Sequence, residues 1–324
     1  MEDDRTMPDR IRRHSLILFG HSTRAMLCAG AVALALSTLP ARLHRDAQAD
    51  ALSLADPMPL EDQLIREWVG RSGNLRAVMA TSDQAWLKPW LEASGITTTS
   101  GLPGVHLLKW TAPDGLPMVL LSLIPFDAKR GGFVGGYHIG KWPIEKHRGL
   151  ATDELPPGFI EVTPENQDTY VTKHFQLRDF VTHDQESVWP KYLVLRPHLL
   201  DKLELISEAL AAEGKPSRIQ ILSGFRSPQY NAQGGGRRGG RARDSRHMYG
   251  DASDIYIDGD GDGRMDDLNG DGRVTVADAR WLVAVAERVE AEHPDLVGGL
   301  AAYRTTGAHG PFVHVDTRGY RARW

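Results

Sequence analysis

The chain has 324 residues, of which 41% are hydrophobic, and it carries a formal net charge of -4 with a pI near 6.4. These values are typical of a globular protein of one large or two ordinary domains, and they exclude a globally basic nucleic-acid-binding protein. The single cysteine, Cys28, excludes an internal disulfide and any multi-cysteine zinc or iron-sulfur site, so a bound metal needs His, Asp or Glu ligands.

The first 49 residues have the layout of an export signal. Basic residues precede an apolar run over 25–36, and a small-x-small triplet at 47–49 offers a cleavage site. The run is shorter than the about 20 apolar residues of a membrane span. We therefore predict an exported protein of the periplasm or cell envelope. An uncleaved anchor, which would hold the chain at a membrane, is the alternative.

A polar linker follows over 50–59, and residues 60–163 are predicted to form a strand-rich domain of unknown role. Residues 60–69 have the spacing of an amphipathic helix. Short apolar stretches, such as 105–110 and 117–123, lie between turns that contain glycine and proline, which indicates strands.

The pattern changes near residue 164, and a second domain is predicted over 164–324. Apolar residues at helical spacing over 195–212 indicate a helix that Gly214 ends. A short apolar stretch over 219–222 then indicates a buried strand. It leads into the segment Ser-Gly-Phe-Arg-Ser-Pro at 223–228.

A stretch rich in glycine and arginine follows over 233–246. Out of context it resembles an RNA-binding segment, but an exported protein does not meet RNA. We interpret it as a flexible loop. The alternative is a cationic rim that attracts an anionic polymer such as cell wall.

A histidine and an aspartate seven residues apart enclose a tight connection. His247 precedes Gly250, and Asp254 lies at the start of an apolar strand. This spacing allows the chain to fold back and bring both side chains to one ion. Imidazole with carboxylate is a ligand set that suits zinc, and a third ligand is then needed.

An acidic, glycine-rich insert follows over 258–278. Counted from Asp267, side-chain oxygens recur at the positions that an EF-hand loop uses, with glycine at the sixth position. Thr275 is also placed to cap a following helix. The alternative is a solvated acidic turn without an ion. The predicted calcium ligands are Asp267, Asn269, Asp271, Arg273, Thr275 and Asp278, with Asp258, Asp260 and Asp262 as a weaker second site.

The third zinc ligand is expected near the C-terminus. Residues 312–316 read as a short strand, in which alternation places Phe312, His314 and Asp316 on one face. Two histidines and one carboxylate leave a fourth zinc position open, as in catalytic rather than structural sites. The residues themselves thus favour a catalytic centre made of His247, Asp254 and His314.

Three segments resemble the D-alanyl-D-alanine carboxypeptidase and murein endopeptidase family of zinc peptidases, whose fold is shared with the hedgehog signalling domain. The likeness spans roughly residues 169–324. Its strongest part is the pattern Ser-x-His-x-x-Gly-x-Ala-x-Asp with a later histidine. The segments are Ser223–Asn231, His247–Ile255, and Gly298–Asp316 with the terminal Arg321-Ala322-Arg323-Trp324.

The resemblance implies an α+β fold, in which a small antiparallel sheet of the C-terminal domain carries the zinc site behind a strand-rich N-terminal domain. It implies zinc bound by the same three residues, and Arg226 binding a substrate carboxylate or the developing oxyanion. One position departs from the family. Many members place a glutamate three residues before the last ligand, or a histidine two before it, where this chain has Pro311 and Phe312.

The catalytic base therefore has two candidates. Asp316 lies two residues after the last ligand and on its face, although it would serve equally as a carboxylate that orients a ligand. His309 lies in a glycine-rich loop that would close over the site.

We predict a zinc metallopeptidase that hydrolyses peptide bonds of peptidoglycan stem peptides or cross-links, as a D,D-carboxypeptidase or an endopeptidase. One alternative is a non-catalytic wall-binding module that keeps the fold and the metal. A second is a calcium-dependent adhesion module, which requires two separate loop-helix repeats where this chain has one clean loop. Peptidoglycan peptides are the expected partners, and nucleic acid is not.

Overall fold

The computed structural model describes residues 69–81, 103–112, 114–146, 154–234 and 240–324. All of them belong to one unit that begins at Leu60. The predicted export signal, the linker, almost all of the helix predicted over 60–69 and the centre of the arginine-rich loop lie outside the described residues. In the described ranges, no helix combines the length and the apolar composition that crossing a bilayer requires.

Strands and helices alternate irregularly along the chain, so the predicted α+β class is confirmed. Among the described residues, the α-helices are α1 (Pro197–Ala212), α2 (Pro228–Gln233) and α3 (Val276–Glu292). The strands are β1 (Ala77–Thr81), β2 (Gly104–Thr111), β3 (Pro117–Pro125), β4 (Phe133–Val134), β5 (Tyr137–His138), β6 (Gly158–Val162), β7 (Lys191–Leu193), β8 (Ile219–Ser223), β9 (Ala252–Ile257), β10 (Gly299–Tyr303), β11 (Phe312–Asp316) and β12 (Ala322–Arg323).

The first sheet is organised around β3. All side chains from Met118 to Leu123 are buried, as expected of a strand covered on both faces. β1 pairs with β3 in parallel, β2 and β6 pair with it antiparallel, and β7 extends the sheet beyond β6. A separate short hairpin is formed by β4 and β5.

The second sheet has the strand order β12-β10-β11-β9-β8 and is antiparallel except for the pair β10 and β12. In the central strand β11, Val313 and Val315 belong to the hydrophobic core. Alternation sends Phe312, His314 and Asp316 to the opposite face. The sheet therefore has one apolar face and one face on which polar side chains gather.

Two helices lie close to this sheet and to each other. α1 has Pro197 in its first turn and is followed by Gly214 at a φ of 66°, so the predicted helix and its end are confirmed. α3 begins after Thr275, whose hydroxyl accepts a hydrogen bond from the Ala277 amide while Asp278 accepts one from the Thr275 amide. This capping box confirms Thr275 as the helix cap.

Strand pairing crosses the boundary predicted at residue 164. β6 lies before it and β7 after it, yet they are antiparallel neighbours. One hydrophobic cluster also includes Leu121 and Trp142 from the first side and Val313 from the second. The described residues on both sides thus share a core, and the division into a domain over 60–163 and a domain over 164–324 stays a prediction.

Candidate metal centre

β9 and β11 place two of the predicted ligands opposite each other. Asp254 and His314 are register partners in the antiparallel pair. Side chains at directly opposed positions lie on the same face with Cβ atoms about 5 Å apart. Both residues are buried. The pairing of the two strands alone therefore brings a carboxylate and an imidazole together.

A tight reversal adds the third residue. Arg246–Tyr249 form a single 3-10 turn that ends at Gly250, whose φ of 72° lies in the left-handed region. A Cβ at Gly250 would lie 2.3 Å from the carbonyl oxygen of Val194, so this position requires glycine. The reversal returns His247 to Asp254, as the seven-residue spacing predicted.

Three ligand atoms converge at this point. His247 Nε2 lies 3.2 Å from both Asp254 Oδ1 and His314 Nδ1, and His314 Nδ1 lies 3.0 Å from Asp254 Oδ1. In a tetrahedral zinc site with bonds of about 2.0–2.1 Å, neighbouring ligand atoms are roughly 3.3–3.4 Å apart. The triangle of His247, Asp254 and His314 thus has nearly the size that zinc requires.

The outer hydrogen bonds fix which nitrogen of each ring faces the centre. His247 Nδ1 lies 2.7 Å from the carbonyl oxygen of Gly224, and His314 Nε2 lies 3.0 Å from Asp316 Oδ2. A carbonyl or carboxylate oxygen only accepts, so these two nitrogens carry the protons. With neutral rings, three lone pairs then point at one another, an arrangement that a divalent cation stabilises.

The surroundings shift the pKa of each of these three side chains. Burial lowers the pKa of His247. Burial acts in the same direction on His314, but hydrogen bonds to Asp254 and Asp316 raise its pKa overall. Burial would raise the pKa of Asp254, yet its partners His247, His314 and Arg226 hold it well below its usual range. The carboxylate therefore stays ionised and available as a ligand.

Arg226 lies directly behind Asp254. Its Nη2 donates to Asp254 Oδ2, the oxygen that faces away from the two histidines, and its Nε donates to Ser223 Oγ at 2.8 Å. Among the described residues, its Nη1 group makes no hydrogen bond. The structure thus places Arg226 at the site, where it orients a ligand. Its contact with substrate stays a prediction.

Asp316 is completely buried and surrounded by donors. Its Oδ2 accepts a hydrogen bond from His314 Nε2, and its Oδ1 accepts one from the Gly299 amide at 2.7 Å. Arg318 donates hydrogen bonds to both oxygens. Burial would raise its pKa, but the bonds from His314 and Arg318 hold it far below the usual range. This arrangement favours the orienting role over the role of base.

His309, the second candidate base, lies on the loop between β10 and β11 and is only partly buried. Its Nδ1 lies 2.8 Å from the Gly310 carbonyl oxygen, so that nitrogen carries the proton and Nε2 can accept one. Its ring contacts Phe312 edge-on at a centroid distance of 4.7 Å. His309 thus contacts Phe312, which lies two residues before His314 on the same face of β11.

Two buried residues that the sequence did not single out support this centre. Lys202 on α1 donates to Glu290 Oε1 at 2.7 Å and to the backbone oxygen of Asp316 at 2.8 Å, and thereby fixes the end of β11. Trp142 donates from Nε1 to the Met248 carbonyl at 2.8 Å, next to His247. Neither has a distinctive sequence signal, because a lysine in a helix and a single tryptophan between Lys141 and Pro143 match no known pattern.

The segment that contains Trp142 also contacts α2, which follows Arg226. The Gln229 amide at the start of α2 donates to the Ile139 carbonyl at 3.0 Å. A Cβ at Gly140 would lie 2.6 Å from the Gln229 nitrogen, so a glycine is needed for this approach. Residues 137–142, here called the strap, therefore contact both segments that carry the site.

The acidic insert folds as two similar loops between β9 and α3. In each, the first aspartate receives backbone amides from the glycines three and five residues later: Asp258 in one loop and Asp267 in the other. Asp278 accepts the amides of Leu268, Asn269 and Thr275. Carboxylate oxygens of Asp258, Asp260 and Asp262 lie within 4.8 Å of one another. Calcium in either loop stays a prediction.

Comparison with known families bears directly on this site. Residues 160–266 match the model of the Peptidase_M15_2 family, described as peptidoglycan L,D-endopeptidase MepK. The matched segment is about a third of the chain and includes Arg226, His247 and Asp254, whereas His314 lies beyond it. No curated protein and no solved structure matches the chain. The resemblance to murein endopeptidases of the hedgehog-like zinc peptidase fold is thereby confirmed for residues 160–266.

Proposed function

We propose that this protein is a zinc-dependent endopeptidase that cleaves L,D peptide bonds in the stem peptides or cross-links of peptidoglycan. The convergence of His247 Nε2, Asp254 Oδ1 and His314 Nδ1 carries the proposal, because three lone-pair atoms at 3.0–3.2 Å form a site for a divalent cation. The family description supports the substrate and favours the L,D bond over the D,D bond expected from sequence.

The residues of the chain divide the work as follows. His247, Asp254 and His314 would hold zinc, a Lewis acid that polarises a carbonyl group and acidifies water. Asp316 and the Gly224 carbonyl keep the two imidazoles in the tautomer that leaves the inner nitrogens free. Arg226 keeps Asp254 ionised and offers its remaining N–H groups to a substrate carboxylate or the developing oxyanion.

His309 is the proposed general base. Its Nε2 is free to accept a proton, whereas the oxygens of Asp316 already receive at least four donated hydrogen bonds. A general base typically contributes about 10²–10⁴-fold to the rate. We expect His309→Ala to lose at least about 10²-fold in kcat with its zinc content unchanged. Wild-type kcat in this variant would transfer the role to another group.

The main test combines metal content with turnover. We expect His247→Ala and His314→Ala to lose zinc and to stop cleaving cross-linked muropeptides, while the matched variant His198→Ala, at an exposed position of α1, keeps both. Mass spectrometry of the products distinguishes an L,D cut from a D,D cut and an endopeptidase from a carboxypeptidase. Full activity in a zinc-free variant would refute the proposal.

A wall-binding module without turnover is the second candidate, since Pro311 and Phe312 occupy the positions where relatives carry a base. It predicts that zinc-loaded wild-type protein binds purified peptidoglycan and releases no peptide.

We also propose that the chain is exported to the periplasm or cell envelope, because its substrate lies there and its first 49 residues have the layout of an export signal.

A further inference from the structure

An aromatic surface continues the sheet face that carries the metal centre. On β10, Ala301 is the register partner of His314, and Tyr303 is the register partner of Phe312. On β10, the small residue Ala301 thus lies beside His314, and the aromatic residue Tyr303 lies two positions farther along the strand. Trp324, after β12, covers the small residues. We call Tyr303, Phe312 and Trp324 the aromatic platform.

The three rings of the platform are fixed to one another and to the metal centre. Tyr303 stacks on Phe312 with centroids 4.6 Å apart and planes 6° apart. Trp324 Nε1 donates to the Tyr303 hydroxyl at 2.7 Å, and its indole lies 5.3 Å from the His314 ring. A Cβ on Gly299 would lie 2.9 Å from this indole, so the tryptophan fits closely on β10.

The platform is rigid yet open to solvent. Tyr303 remains 37% exposed and Trp324 57% exposed, while Phe312 lies buried beneath them. Neighbouring exposed aromatic rings are an unfavourable surface unless a ligand covers them, and rings already held in place lose little entropy when it binds. Because the platform is continuous with the metal centre, we expect the ligand that covers it to be part of the substrate.

The chemistry of the platform selects among the parts of such a substrate. Aromatic faces carry negative charge density and attract the slightly positive C–H groups on the flat face of a pyranose ring. The Arg318 guanidinium lies 5.3 Å from the Trp324 ring, but its charge is paired with Asp316. The platform therefore suits a neutral ring with a polar edge better than an anionic peptide.

We propose that the aromatic platform binds a sugar ring of the glycan strand while the attached peptide reaches the metal centre. This inference rests on the proposed function, because it needs a substrate in which peptide and glycan are joined. It goes further in assigning the platform to glycan recognition. It also makes glycan-linked peptides better substrates than free peptides.

A binding titration tests the platform without any catalysis. The probe is a tetramer of β-1,4-linked N-acetylglucosamine, followed by tryptophan fluorescence and calorimetry. We expect Tyr303→Ala and Trp324→Ala to bind it about tenfold more weakly or less well still. The control Tyr170→Ala removes an exposed ring beside β8, at the opposite sheet edge, and should bind as wild type does.

Kinetics provide the second measurement. The ratio of kcat/KM for a glycan-linked cross-linked peptide to that for the same peptide without sugar should fall about tenfold in Tyr303→Ala. Should Trp324→Ala lose zinc because the indole contacts His314, Tyr303→Ala decides alone. Equal sugar binding by wild type and Tyr303→Ala, or none by wild type, overturns the proposal. If wild type cleaves neither substrate, the proposed function fails while the titration still decides the platform.

Discussion

At the scale of single residues, Asp316 shows how surroundings choose between two roles for one carboxylate. A general base needs a pKa near the working pH and an oxygen free to take a proton. The oxygens of Asp316 face His314, Arg318 and the Gly299 amide, and these contacts hold its pKa far below the usual range despite burial. Orientation of His314 is the role that these contacts allow.

The substitution Asp316→Asn tests whether this carboxylate is ionised in the folded protein, through the pH dependence of stability. A carboxyl group whose folded pKa lies below its ordinary 3.8 stabilises the native state above that pH, and the contribution is lost as pH falls. At neutral pH the variant should lose about 3 kcal/mol, because the partly buried Arg318 loses the completely buried carboxylate that pairs with its charge. Urea unfolding of the chelated proteins between about pH 3 and pH 8 measures the difference.

The same variant separates orientation from proton transfer. Loss of an orienting carboxylate is expected to weaken zinc binding about 10–100-fold, which competition with a chromophoric chelator measures. A stability loss that is equal at every pH would contradict the assigned ionisation. Unchanged zinc affinity with kcat lowered at least about 10²-fold would instead make Asp316 the base.

At the scale of elements, the strap acts on the metal centre from a part of the chain that the family match does not include. Its Trp142 N–H fixes the Met248 carbonyl next to His247, and its Ile139 carbonyl fixes α2 next to Arg226. Ligands held by such bonds need little rearrangement when a metal binds.

Trp142→Phe removes this N–H group and keeps most of the buried ring. We expect zinc affinity to fall by up to about tenfold, and the visible spectrum of the cobalt-substituted protein to change, since both depend on ligand positions. The matched control is Trp281→Phe on α3, whose indole nitrogen makes no hydrogen bond among the described residues. An equal effect of both substitutions would mean that the tryptophan contributes by its volume alone.

The acidic insert is an element with its own prediction. Calcium bound to its loops would stabilise the folded chain by mass action, so about 1 mM calcium should raise Tm by a few degrees. Asp258→Asn and Asp267→Asn, measured separately, reveal which loop responds, and Asp295→Asn outside the insert serves as the control. A Tm that is equal in calcium and in a calcium chelator would rule the site out.

At the scale of the whole molecule, residues on both sides of position 164 share one core, so the metal-binding part depends on the strands before it. Trp142 is completely buried, and the loss of such a side chain costs about 3–5 kcal/mol, against a total stability of about 5–15 kcal/mol for an ordinary domain. β6 would also be missing beside β7.

We therefore expect residues 164–324 alone not to fold cooperatively, whereas residues 60–324 unfold in one transition. Near-ultraviolet circular dichroism and urea unfolding of the two proteins make the comparison. Zinc is added in both cases, so that metal binding does not limit the shorter chain. A native-like, cooperative transition of the shorter chain would establish the two-domain organisation predicted from sequence.

The sequence alone was sufficient for features set over short distances. The helix α1, predicted over 195–212 and observed over Pro197–Ala212, the cap at Thr275 and the side-chain alternation of β11 follow from residue spacing within one element. The grouping of His247 with Asp254 follows from a seven-residue reversal at Gly250. The third histidine was inferred from the polar face of β11 and from the family pattern.

Only the tertiary structure decided the features that depend on distant segments. The roles favoured for Asp316 and Arg226 depend on contacts with neighbouring strands, such as the Gly299 amide for Asp316 and Asp254 for Arg226. Trp142 and Lys202 reach the centre from positions more than 100 residues away from their partners. The shared core across residue 164 likewise depends on which strands become neighbours. A local pattern constrains the direction of a side chain, whereas its pKa, partners and burial depend on what folds against it.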